Sequence, residues 1–181
     1  MRVPEDRVSA TTFEELAMPL FDQLYNFARW LTHDTAEAVD LVQETYTKAL
    51  RGFSSFQAGT NFRAWMYRIL RNSFLSSRTG LKITVALDEE ADESLLPAES
   101  NTPESILIEQ ADREAVRQAL AGLPVPFREI LLLCEVEEMS YQEIAETLAV
   151  PVGTVMSRLF RARKALRDLL RQQKEGGRHG V

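Results

Sequence analysis

The stretch SYQEIAETLAVPVGTVMSRLFRARKAL, from Ser140 to Leu166, crowds arginine and lysine into a chain whose formal net charge is -6. At about 100° per residue on a helix, Val155, Leu159, Ala162, Leu166 and Leu169 share one face. Ser157, Arg161 and Lys164 lie opposite, with Thr154 and Arg158 beside them. A helix that buries one stripe and shows hydroxyls and guanidiniums on the other suits a DNA major groove, where those groups reach base edges and phosphates. The plain alternative is a solvated polar face whose basic residues near the carboxyl end suit the helix dipole. Helix lengths, turn and charge together favour DNA. Ile144, Ala145, Leu148, Val150, Val155 and Leu159 fit two short helices packed across a tight turn, the spacing of a helix-turn-helix.

A second cluster mixes rings with charge. A helix over 62–77 places Phe62, Trp65, Met66 and Ile69 on one face, and Tyr67, Arg68, Arg71, Phe74 and Arg78 on the other. Arginines hold phosphates while aromatic rings stack on unpaired bases, the usual grip on a single nucleic-acid strand. The preceding GFSSFQAGTNF, with Phe53, Phe56 and Asn61, supplies a pocket for such bases. Trp65 and Phe62 serve equally well as core residues, with Phe53 or Phe56 pinning the loop, and the two readings stand level.

In DTAEAVDLVQETYTKAL, Val39, Val42, Tyr46 and Ala49 are in phase, leaving Asp40, Gln43, Glu44 and Lys48 on other faces. Asp40 and Glu44, at i and i+4, share a face. Without histidine or further acids nearby they make neither a metal set nor an acid–base pair, so the readings are an acidic docking patch or a solvated face. His33 and His179 are isolated, and Cys134 lies inside the apolar ILLLC, which suits a buried, inert thiol. These residues imply no cofactor, no metal and no catalytic constellation.

These clusters must be positioned by helices. Thr12 with Glu15, Asp34 with Glu37 and Ser140 with Glu143 each have capping-box spacing, and Thr102–Pro103 is a further helix start. Strand-like alternation is confined to KITVAL, Lys82 to Leu87. The expected fold is all-α: two small helical domains joined by an acidic flexible linker, the second a four-helix domain with a helix-turn-helix. Helices are expected over about 13–32, 35–51 and 62–77, then near 103–121, 126–137, 141–148 and 152–172. The domains are therefore 1–80 and 103–175, with a linker over 81–102 and a disordered tail over 176–181.

Charge follows the same division. No acid lies between Glu44 and Asp88, whereas Lys48, Arg51, Arg63, Arg68, Arg71, Arg78 and Lys82 do; from Asp88 to Glu114, ten acids face Arg113 alone. Two basic modules thus flank an acidic connector. A lone cysteine cannot form an internal disulfide, the apolar runs are too short to cross a bilayer, and the amino terminus has acids where a signal peptide needs an apolar core. A cytoplasmic protein without membrane insertion is expected.

Three segments, AEAVDLVQETYTKAL, GTNFRAWMYRILRN and SYQEIAETLAVPVGTVMSRLFRARKAL, resemble in order and spacing regions two and four of the extracytoplasmic-function (ECF) sigma factors of bacterial RNA polymerase. The resemblance implies a non-enzymatic promoter-specificity subunit whose Asp40, Leu41, Gln43 and Glu44 dock core RNA polymerase. It implies that the loop with Phe56 and Asn61, and the helix with Arg63, Trp65, Tyr67, Arg68, Arg71 and Asn72, recognise and melt the single-stranded minus-ten element. It assigns Thr154, Ser157, Arg158, Arg161 and Lys164 to duplex promoter DNA at the minus-thirty-five element. An anti-sigma protein is the further partner it implies, with the acidic linker threading through polymerase. Met156 stands where the family often carries a basic residue. The rival is a stand-alone helix-turn-helix transcription regulator, which leaves the aromatic basic helix and the Asp40 patch unexplained.

Overall fold

The computed structural model describes residues 11–79 and 113–176. Among them every regular element is helical: α1 (Phe13–Ala17), a 3-10 turn (Met18–Leu20), α2 (Phe21–Thr32), α3 (Thr35–Gly52), a 3-10 turn (Phe53–Ser55) and α4 (Phe62–Arg78). The second set is α5 (Arg113–Gly122), α6 (Val125–Leu131) running on into a π turn (Leu132–Val136), α7 (Tyr141–Leu148) and α8 (Val152–Gly176). KITVAL, the linker, the Thr102–Pro103 start and the tail beyond Gly176 lie outside the described residues.

Local chemistry sets the boundaries. Thr12 and Ser140 each complete a capping box with Glu15 and Glu143. Asp34 Oδ1 accepts the Glu37 N–H at 2.8 Å to start α3, but Glu37 turns its carboxylate to Arg78 instead of closing a box. His33, in the left-handed region at φ 57°, ends α2 one residue earlier. The single helix expected over 13–32 is broken by Pro19, which lacks an N–H and crowds the preceding turn, so Met18–Leu20 tightens to 3-10 geometry. The helix expected over 126–137 instead widens into the π turn, where the Glu137 N–H reaches back to the Leu132 carbonyl at 3.0 Å.

In the first module α2, α3 and α4 enclose Leu24, Phe27, Leu31, Met66, Tyr67 and Leu70, with the Phe27 and Tyr67 rings edge to face at 5.1 Å. In the second, α5, α6 and α7 pack on the long α8 around Ile130, Leu133, Ile144, Val155 and Leu159. The modules are also packed against each other. One buried apolar cluster runs through both, and α4 lies along α7. Arg128 fastens the junction: it is buried, and its guanidinium donates to the Leu120, Ala121 and Leu123 carbonyls and, across the junction, to the Leu31 carbonyl near the carboxyl end of α2. Carbonyls left open at helix ends are natural partners for a guanidinium.

Candidate nucleic-acid and polymerase surfaces

Asn61 starts α4 by accepting the Ala64 N–H at 3.0 Å, which fixes the rotation of the helix and hence of every side chain on it. Before it, Phe53, Phe56, Phe62 and Trp65 form a ring cluster, with Phe56 and Trp65 centroids 5.1 Å apart and Phe62 and Trp65 5.5 Å apart. Phe62 belongs to the core, while Trp65 and Phe56 are half-buried. Tyr67 and Phe74 depart from expectation. Both are core side chains, because the buried stripe of α4 runs through Phe62, Met66, Tyr67, Leu70 and Phe74 rather than through Trp65 and Ile69. Tyr67 has no exposed surface; burial first, then its bond to Glu137, pushes its pKa far up, so the phenol stays protonated and stacks on nothing outside.

The donors on the outward face of α4 are engaged by the second module. Arg71 forks onto Glu129, Nε to Oε2 at 2.8 Å and Nη2 to Oε1 at 3.0 Å. Arg63 donates to the Glu137 carbonyl at 2.6 Å and its carboxylate at 3.3 Å, and the Tyr67 hydroxyl donates to the same carboxylate at 2.5 Å. Asn61 Nδ2 reaches Glu143 at 3.1 Å, and the exposed Arg68 donates to the Glu146 carbonyl. Asn72 is exposed on the same helix.

On α8 the buried stripe is Val155, Leu159, Ala162, Leu166 and Leu170, one residue on from the expected Leu169 at its far end. Thr154, Ser157 and Arg161 are half-exposed and Lys164 exposed, a contiguous polar face at the amino-terminal half of the helix. Arg158 is not part of it. Only 9% exposed, it turns into the junction between the modules with Nε unpartnered. Burial pushes its pKa down; Glu129 opposes this, whereas Arg71 and Arg161 add to it.

On α3, Asp40, Gln43 and Glu44 are exposed, Glu44 pairing with Lys48 at 2.5 Å. Leu41, 6% exposed, is in the core, so it holds the helix while its three polar neighbours face out. Val39 was expected in the buried phase; it is exposed, because the stripe that α3 buries is Ala38, Leu41, Val42, Thr45 and Ala49. Val39 and Leu50 flank the half-buried Tyr46, and Phe21 sits 5.9 Å from its ring, giving the acidic pair an apolar border that sequence reading missed. Spacing alone contained the signal: Val39, Tyr46 and Leu50 recur at i, i+7 and i+11.

Among the described residues no group of three metal-binding side chains exists, and no helix is long and apolar enough to cross a membrane. Burial and the neighbouring Glu135 push the Cys134 thiol up to about 11, so it is a poor nucleophile at neutral pH.

Two family descriptions match: Sigma-70 region 2 over residues 16–82 and Sigma-70 region 4 over residues 113–166. The chain is 38% identical to the ECF RNA polymerase sigma factor SigE of Mycolicibacterium smegmatis, over 91% of this chain and 64% of that protein. It is 31% identical to the RNA polymerase sigma factor YlaC of Bacillus subtilis, over 91% of this chain and 95% of that protein. Among solved structures it is similar to the sigma factor RpoE of Bartonella quintana in complex with the anti-sigma factor NepR, with TM-score 0.67, 30% identity, and 88% of this chain and 96% of that one covered. CnrH, solved with the cytosolic domain of CnrY, is similar at TM-score 0.63 and 25% identity, with 88% of each chain covered.

Proposed function

The chain belongs to the ECF sigma factors of bacterial RNA polymerase, and from that membership we propose how its surfaces divide the work of binding core polymerase and directing promoter recognition. α3 docks on polymerase through Asp40, Gln43 and Glu44 and the apolar border beside them; acid next to exposed apolar side chains is the composition of a protein-binding rather than a DNA-binding face. α4 and the loop before it capture the melted minus-ten strand. Arg63, Arg68, Arg71 and Asn72 supply contacts to phosphate and base, and Trp65 and Phe56 supply rings. α8 enters the minus-thirty-five duplex with Thr154, Ser157, Arg161 and Lys164.

A single observation carries this reading: two cationic surfaces of different character, one aromatic and one helix-turn-helix, occur in the order of regions 2 and 4. A stand-alone regulator needs only the second, so the region 2 match over residues 16–82 removes that alternative. The protein acts as a non-enzymatic cytoplasmic subunit, and an anti-sigma protein restrains it. The likeness to RpoE, solved with the anti-sigma factor NepR, supports that partner.

The test is reconstitution with core polymerase of its own host on a genomic template, followed by sequencing of the transcript ends. The expected result is a co-migrating complex and starts that share a two-element promoter. Failure to form that complex overturns the reading.

A further inference from the structure

Four of the side chains assigned to the minus-ten strand are held by the chain itself. Arg71 holds Glu129, Arg63 holds Glu137, Asn61 holds Glu143 and Arg68 holds a backbone carbonyl of α7. The carboxylates are placed as deliberate partners: Glu129 has a side chain only 1% exposed, and Glu137 only 5%. A glutamate is rarely enclosed unless it is paired. Both face the first module rather than solvent, although each belongs to the second. Glu137 is aimed there by the π turn, which ends on it, and Glu138 follows with φ at 51°.

The groups that meet α4 are chemically the groups that DNA would bring. An arginine fork accepts two oxygens of a carboxylate as readily as two of a phosphate. Glu129 is bonded to Arg71 of α4, and its charge also reaches Arg158 of α8, which is buried at the same junction.

We propose that Glu129 and Glu137 form a built-in competitor for promoter DNA, an intramolecular phosphate substitute that keeps α4 closed to the minus-ten strand until the modules separate. This rests on the assignment of α4 to that strand. It adds that the free chain closes its own surface, with no second protein present. Buried ion pairs of this kind contribute little net stability, because desolvation offsets their attraction. Opening the junction rehydrates both partners, so the clasp yields to a ligand such as polymerase that binds the open form better.

The experiment uses the full chain with Glu129→Gln and Glu137→Gln together, which keeps shape and removes charge. Binding of a fluorescent mixed-sequence single-stranded DNA is measured without polymerase, beside transcription with core polymerase. If the parent is nine-tenths or more closed, removing the clasp tightens strand binding about tenfold or more, because apparent affinity scales with the open fraction. The gain must vanish when Arg71→Ala is added, and the holoenzyme carrying only Glu129→Gln and Glu137→Gln must still initiate.

A folded variant that binds the strand no better than the parent, while the parent holoenzyme transcribes, overturns the clasp and leaves the sigma assignment intact. Loss of initiation by the parent itself overturns the assignment instead. A second readout does not depend on the double variant folding. Arg71→Glu should speed amide hydrogen exchange in α7, and adding Glu129→Arg should restore protection by rebuilding the pair in reverse. Unchanged exchange in both variants also overturns the proposal.

Discussion

At Arg161 and Lys164 the chemistry is a matter of accessible cations: both stand on the open face of α8, Arg161 half-exposed and Lys164 exposed. Arg161→Ala with Lys164→Ala should weaken binding of the holoenzyme to minus-thirty-five duplex and lower the slope of log affinity against log salt by about 2, as each lost phosphate contact removes roughly one released counterion. Complex formation with core polymerase should be unchanged. Asp40→Ala with Glu44→Ala should give the converse, measured by co-migration with core polymerase. Arg158, on the same helix, belongs to another category because the junction encloses it. Cys134 offers a titration with a definite sign. Its folded pKa is about 11, raised from 9.0, so the stability contributed by keeping the thiol neutral is intact below about pH 9 and is lost as pH rises toward 11. Alkylation of the folded chain should accordingly be much slower at pH 8 than that of a small free thiol, accelerating only as pH approaches 11.

At the scale of elements, caps and breaks decide where each surface begins. Asp34 caps α3 with one short bond to the Glu37 N–H, directly after the left-handed His33 that ends α2. Asp34→Ala should cost about 1 kcal/mol in urea unfolding, with co-migration with polymerase retained once the chain is folded. The caps at Thr12, Asp34 and Ser140 were legible in the sequence because a cap involves residues three apart. The π turn was not legible. It carries no cap or proline signal, and the residue it ends on, Glu137, bonds to Tyr67 of the other module. Proline at position 19 was a visible signal for the break before α2, outweighed by the apolar pattern around it.

For the molecule as a whole, net charge of -6, an enclosed Arg158 and an α4 already engaged by glutamates point the same way. The isolated chain should bind duplex promoter DNA weakly at physiological salt, and tight sequence-specific binding should require core polymerase; a mobility shift with and without polymerase measures this. Arg128 is the counterpart on the structural side, bonded to three carbonyls of its own module and one of the other. It makes the closed arrangement specific in register as well as in charge.

Helical class and the outward positions of Asp40, Gln43 and Glu44 on α3 and of Thr154, Ser157, Arg161 and Lys164 on α8 followed from the sequence itself, because periodicity and caps are short-range properties, whereas packing placed Val39 outside and Leu41 and Arg158 inside. The face of α4 did not follow. Whether Tyr67 is a base-stacker or a core ring, and whether Arg71 awaits a phosphate or holds a glutamate, depends on partners 70 and 58 residues away along the chain. Only tertiary packing brings Glu129 and Glu137 onto that helix, since the energy of an ion pair depends on separation in space and solvent exclusion, neither of which is encoded in the spacing of residues along one element.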